Sequence, residues 1–311
     1  MVEKQNIPTK EMNQIRVKQK LTFDDRVYYI ITDILLIILL VIIAYPLIFI
    51  VSASFSDPAA VAASRVVLWP VDPSLAGYRA VFSNPNILRG YGNTIFYTVV
   101  GTLINVSMTL IAAYPLSRRE LPWKGFFMFL FTFTMFFGGG MIPTFLLIND
   151  LGMINTRWAM IIPGALSVYN MILTRTFMMS NIPNELLEAS RIDGCSDFRF
   201  FFNITLPLSK AVIAVITLYY AVGHWNSYFS AFLYLSEKRL YPLQLILRDI
   251  LVANSISSTE ITDDAILAGK QGMADLLKYA LIIVSSAPVI AMYPFVQKYF
   301  VKGVMIGSVK G

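Results

Sequence analysis

Polar and apolar positions alternate in long blocks along this chain. Six apolar runs carry no charged residue: 34–51, 94–116, 125–148, 158–174, 211–235 and 279–296. Each is close to or above the roughly 18–20 residues that cross a bilayer as a helix. Within them the apolar residues do not alternate with polar ones, so barrel strands are excluded. Lipid leaves backbone groups no partner outside a helix or a closed barrel. The pattern predicts an all-α integral membrane protein with six transmembrane helices.

Composition agrees. Of 311 residues 56% are hydrophobic and 14% charged, against about 25% charged in a soluble domain. Mean hydropathy is +0.63. The run at 34–51 is too long for the apolar region of a signal peptide, and the polar stretch before it is long as well.

The basic residues set an orientation. Residues 1–27, Arg118, Arg119 and Lys124 after span two, Arg191, Arg199 and Lys210 after span four, and Lys298, Lys302 and Lys310 of the tail make fifteen Lys and Arg, and the segments 54–90, 149–157 and 236–273 hold eight. The positive-inside rule then places both termini in the cytoplasm. This gives a cytoplasmic segment 1–27, a transmembrane domain 28–299 with an outer loop at 236–273, and a cytoplasmic tail 300–311. The net charge of +6 is spread out and reads as topology, with no nucleic-acid-binding pattern. Cys195 is the single cysteine and His224 the single histidine, so no disulfide closes within the chain and no metal site is expected.

Several local features refine the picture. The outer loop 54–90 is rich in Pro, Asn and Ser, which favours irregular structure with short helices. Residues 138–157 open on three glycines and read as either a bent re-entry or a short outer helix. Segment 236–273 is long enough for a helical protrusion with an apolar part at 243–247. Pro46, Pro115, Pro163, Pro207, Pro288 and Pro294 fall in or beside spans and kink helices there. Gly101, Gly164 and Gly223 are positions where helices can approach closely.

Between spans four and five lies a polar segment with its own pattern: Glu185, Glu188, Ala189, Ser190, Asp193 and Gly194, then Ile204, Leu206 and Pro207. Pro183 suits a first helical turn, with Ser180 or Asn181 as cap. Glu185 and Glu188 then favour the positive end of the helix dipole. Leu186, Leu187 and Ser190 give a packing edge. Gly194 supplies a left-handed turn. A second helix from Ser196 to about Asn203 presents Phe198, Phe201 and Phe202, and Pro207 marks the start of span five. The expected product is a small helix–turn–helix on the membrane surface.

The spacing Glu-Ala-Ser, three residues, Gly, nine residues, Ile-x-Leu-Pro resembles the cytoplasmic coupling loop of permease subunits in binding-protein-dependent ABC importers, which have a MetI-like transmembrane fold. Ser190 stands where that family has Ala, a residue of similar size. The stretch Trp225, Asn226, Ser227, Tyr228 and the tail from Pro294 to Gly303 look like the carbohydrate-uptake branch, and in detail like its oligosaccharide members.

The resemblance implies a multi-pass subunit of a bacterial cytoplasmic membrane with a coupling loop at 181–207. It implies a homologous second permease, two ATPase subunits that hold ATP and Mg²⁺, and an extracytoplasmic solute-binding lipoprotein as partners. Sugars stack on aromatic faces and bond to amides and hydroxyls. The candidate pathway residues are therefore Trp225, Asn226 and Tyr228, with Tyr219, Tyr220, Asn105 and Asn170 behind them. Each also fits an interfacial or helix-packing role.

The chain has no Gly-x-x-x-x-Gly-Lys-Ser/Thr phosphate loop; Gly269 and Lys270 are followed by Gln271. It has no acidic residue within the six runs, which a proton-coupled carrier usually needs, and no inverted repeat. A transport subunit without its own ATPase site and without a cofactor is the expectation. An importer for a peptide or polyol, and a secondary carrier, are the alternatives.

Overall fold

The computed structural model describes residues 22–257 and 264–307. Residues 1–21 of the N-terminal segment, 258–263 of the outer segment and 308–311 of the tail lie outside it. Every regular element among the described residues is helical. The chain divides into two units after Phe49.

In the first unit, helix α1 (Phe23–Ser54) starts from Thr22. The Thr22 hydroxyl accepts from the Asp25 amide while the Asp25 carboxylate accepts from the Thr22 amide and hydroxyl. Reciprocal capping of this kind satisfies helix-start donors. The Asp24, Asp25, Arg26 cluster thus lies in the first turn of α1. Apolar side chains from Ile30 to Leu47 are exposed on every face, the mark of a helix whose solvent is lipid.

The second unit opens with the last turn of α1. The Ser52 hydroxyl donates to the Leu68 carbonyl at 2.6 Å, and Ser54 shares a 2.9 Å bond with the Tyr78 hydroxyl. Short helices α2 (Pro58–Ala62) and α3 (Ala76–Ser83) occupy the outer loop. Helix α4 (Pro85–Ser117) begins at Asn84, whose side chain accepts from the Asn86 amide, with proline at its first position. Helices α5 (Lys124–Phe136) and α6 (Met141–Asp150) follow, bent by 110° at the three glycines. A 3₁₀ turn (Arg157–Met160) leads to α7 (Val168–Asn181), capped by Ser167. Then come α8 (Asn184–Ile192), α9 (Asp197–Phe200), a π turn (Phe201–Thr205) and α10 (Leu206–Leu208). Helix α11 (Lys210–Trp225) is set at 79° to the helical stretch before it. Helices α12 (Tyr228–Tyr234), α13 (Leu243–Ser257) and α14 (Asp264–Gly307) complete the unit.

Helix α4 is the centre of the packing and touches α7, α11 and α13. One core cluster joins Leu110, Ala113 and Leu116 of α4 to Met171 and Met178 of α7, Leu187 of α8 and Phe200 of α9. A second joins Tyr97 to Met160, Ile161, Ala231 and Leu245.

The expected six spans are met in part. Among the described residues three helices are long and apolar enough to cross a membrane, and the two bent pairs raise this to five if each is one span. The run at 158–174 is not one helix. Pro163 lacks an amide donor and falls in the break, between the 3₁₀ turn that ends at Met160 and the start of α7 at Val168. The run at 211–235 divides at Trp225 into α11 and α12. Pro207 lies in the short α10, three residues before α11.

In segment 236–273 the apolar part 243–247 opens helix α13 and packs inward. Leu243 and Leu245 are buried, and the Leu243 amide donates to the Thr94 hydroxyl at 2.8 Å. Helix α14 already begins at Asp264, inside that segment. Of the three glycines expected at close approaches, only Gly101 has one. A Cβ there would meet the His224 ring, whereas Gly164 and Gly223 face open space.

Candidate functional site

Helix α8 is amphipathic at single-residue resolution. Glu185, Glu188, Ala189 and Ile192 share one face, spaced i, i+3, i+4 and i+7, and all four are exposed. On the other face Leu187 and Ser190 are buried, and the Ser190 hydroxyl donates to the Leu187 carbonyl at 2.7 Å. Leu186, expected on the packing edge, is 37% exposed. The cap also differs from expectation. Ser180 and Asn181 finish α7, where the Asn181 side chain donates to the Phe177 carbonyl. Pro183 itself occupies the cap position, with no side-chain bond.

Asp193 is exposed and ends α8. Gly194 follows at φ +75°, its amide donating to the Arg191 carbonyl at 3.0 Å, and the Cys195 amide donates to the Ser190 carbonyl at 2.9 Å. That left-handed residue satisfies carbonyls at the end of α8. The Ser196 hydroxyl then accepts from the Arg199 amide to start α9. Phe200 is fully buried and anchors this helix. Phe198 (80% exposed) and Phe202 point outward, whereas Phe201 packs on Tyr114 with ring centroids 4.8 Å apart. Ile204 and Leu206 are half-buried against the same core, and Pro207 is exposed.

Two contributors lie outside the sequence motif. Ile192, 87% exposed, adds an apolar point between the carboxylates and Phe198. Arg191 grips Glu120 of the α4–α5 loop through both guanidinium nitrogens at 2.9 and 2.7 Å, and reaches Asp197 at 3.2 Å. These bonds, Glu120 first, hold the guanidinium above its ordinary pKa range. Glu120 is 71 residues away from Arg191 in sequence, so no local pattern announces the pair.

The pathway candidates separate into two groups. Asn105, Tyr220 and Asn170 are buried, and bonds tie the first two into the interior. Asn105 donates to the Gly164 carbonyl at 2.5 Å and its oxygen meets His224 Nε2 at 2.6 Å. The Tyr220 hydroxyl bonds the Thr109 hydroxyl at 2.7 Å and accepts from the Ser167 amide. The Asn170 amide donates to the Ser167 hydroxyl, and its carbonyl accepts from Thr174.

The other four are dispersed. Trp225 is buried, its indole nitrogen donating to the Ser285 carbonyl at 2.9 Å and its ring edge-on to Tyr91. It packs helices and offers no open face. Asn226 caps α11 through the Val222 carbonyl. Tyr219 is exposed. Tyr228 lines a cavity of about 400 Å³ with Phe229, Phe232, Gln244 and Arg248. Trp225, Asn226 and Tyr228 therefore do not form one surface. No cluster of three potential metal ligands occurs among the described residues.

An all-helical bundle with an exposed, internally anchored helix–turn–helix defines a class of membrane component, and comparison with known proteins gives its family. Residues 105–306 match the family of binding-protein-dependent transport system inner membrane components, and the chain belongs to it. It is 41% identical to Protein LplC of Bacillus subtilis over 267 residues, covering 86% of this chain and 89% of that one. It is 40% identical to the polygalacturonan/rhamnogalacturonan transport system permease YtcP of the same organism, covering 89% and 96%. A solved bacterial ABC transporter involved in import of the acidic polysaccharide alginate contains a chain 36% identical, with TM-score 0.82 over 90% of this chain and 98% of that one.

Proposed function

We propose that this chain is a sugar permease of an ABC importer and forms half of the pathway, with an oligosaccharide as its cargo. The observation that carries the reading is the outward face of α8, where Glu185, Glu188, Ala189 and Ile192 stand free while Leu187, Ser190 and Phe200 root the loop in the core. That face is the contact for an ATPase subunit, and it transmits closure of the ATPase pair to the helices as a rigid-body switch. A homologous permease, two ATPase subunits that hold ATP and Mg²⁺, and an extracytoplasmic solute-binding lipoprotein complete the importer. The sugar permeases among its relatives support the cargo class. The path from Arg157 through α7 completes a sixth crossing. The domain limits are a cytoplasmic segment 1–27, a transmembrane domain 28–299 and a cytoplasmic tail 300–311.

The deciding experiment is reconstitution. The purified chain alone should hydrolyse no ATP. With its partners in liposomes it should import saccharide when loaded binding protein and ATP are present. ATP turnover that persists after every other subunit is removed contradicts the reading, as does import without ATP.

Orientation has its own test. With Cys195 replaced by Ser, a Ser257→Cys variant should react with a membrane-impermeant thiol reagent in intact cells. Reaction only after lysis reverses the topology.

A further inference from the structure

At the end of α4 remote from α8, three arginines line one cavity. Arg89 and Asn93 come from α4, Asn155, Thr156 and Arg157 from the segment before α7, and Arg239 and Leu240 from the turn before α13; the volume is about 630 Å³. This is within the roughly 300–1,000 Å³ of small-ligand sites.

The walls are built. The Asn93 amide donates to the Arg239 and Tyr241 carbonyls at 2.8 and 3.1 Å, and the Tyr97 hydroxyl donates to the Leu240 carbonyl at 2.9 Å. The Asn155 oxygen accepts the amides of Ser236 and Glu237. Arg157 lies 4.5 Å over the Phe96 ring and reaches the Asn93 oxygen at 3.4 Å.

The charge balance is one-sided. Among the described residues Glu237 is the one carboxylate bonded at this cavity, and both its oxygens are engaged, one by Asn155 and one by Arg239. Arg89 and Arg157 have no carboxylate partner among the described residues. A neutral sugar needs acceptors for its hydroxyls as well as donors. Here the acceptors of Asn93, Asn155 and Glu237 each already take a bond, the Thr156 hydroxyl oxygen is the one side-chain acceptor of the lining that takes none among the described residues, and the surplus lies in guanidinium donors. Planar guanidinium forks match carboxylates two bonds at a time.

We infer that Arg89 and Arg157 form an anion subsite that takes a carboxylate of an acidic oligosaccharide. The inference rests on the sugar-permease reading and narrows its substrate class to carboxylate-bearing saccharides. A concave site of this size, with Arg157 held against Phe96 and Asn93 and Arg89 exposed beside it, suits a saccharide unit better than the broad face of a docked protein.

The test uses the complete complex in liposomes, with oligogalacturonate and oligomannuronate as probes and their methyl esters as uncharged controls. The unmodified complex should take up at least one acid far faster than its ester. The Arg89→Gln, Arg157→Gln variant should lose that preference by tenfold or more, while ATPase stimulation by loaded binding protein persists. Arg89→Gln alone, at an exposed residue, should lose part of it without affecting assembly. Equal uptake of acids and esters by the unmodified complex, or equal loss of both in the variant, overturns the subsite. Loss of ATPase stimulation together with all uptake assigns the arginines to protein docking and also overturns it. A complex that imports no saccharide of either kind fails the sugar reading itself, and the subsite falls with it.

Discussion

Gly194→Val should abolish uptake while leaving membrane insertion and binding-protein docking intact. Gly194 sits at φ +75°, and a Cβ added there would meet nothing within 4 Å. The penalty is therefore conformational, about 1–2 kcal/mol for a residue with Cβ and more for a β-branched one. Too small to unfold the bundle, it is large enough to move a turn closed by the Gly194 and Cys195 amides. The α8 face would then be presented at a wrong angle.

Glu188→Lys reaches the same end by another route. It leaves the turn alone and reverses an exposed charge beside Glu185 in the first half of α8. Both variants should assemble with the second permease and should lose the stimulation of ATP hydrolysis by loaded binding protein. Assembly, uptake and ATPase rate measured on one preparation check this. Parental transport by both variants would make the loop a passive surface.

The second large effect lies inside the bundle. A Cβ on Gly101 would stand 2.8 Å from His224 Cδ2 and closer still to Nε2 and Cε1. Gly101→Ala should displace the imidazole and break its 2.6 Å bond to the fully buried Asn105. Overpacking costs about 1–3 kcal/mol, and an orphaned buried acceptor about 1–3 more. Adding His224→Ala removes the clash, so the double variant should be more stable than the two single effects predict, by roughly 1 kcal/mol or more. Thermal unfolding of the four species measures this coupling. Strict additivity would mean that the ring does not occupy the slot.

The contrast between these two sites shows what can be read from the chain alone. Gly194 is legible because a glycine after a short amphipathic segment has one cheap use, the left-handed turn. The apolar runs are legible because a stretch of about 20 residues without charge is rare outside a bilayer and matches its thickness. Local sequence misleads where tertiary context decides. Trp225 and Asn226 sit at a helix end, where a pathway aromatic and a packing aromatic look alike; the Ser285 carbonyl, 60 residues away, makes Trp225 a packing residue. The run at 158–174 is uncharged throughout, yet it breaks around Pro163 while Pro46 and Pro115 sit inside continuous helices, and the proline alone does not tell the two outcomes apart. Arg191 with Glu120, and Gly101 with His224, meet only after folding, so neither pair leaves a periodic trace.

Helix α4 runs for 33 residues, about 50 Å at 1.5 Å per residue. Near its start Asn93 holds the turn that carries Arg239; in its last turn the Leu116 carbonyl accepts from Arg175, and the loop beyond it offers Glu120 to Arg191. Gly101, with the imidazole wedged against it, lies at the midpoint of Pro85–Ser117. Such a rod is a lever with a fulcrum. A tilt of about five degrees about its centre swings each end by about two ångströms in opposite directions. On the proposed reading, arrival of a solute at one end and closure of the ATPases at the other become two readings of a single angle.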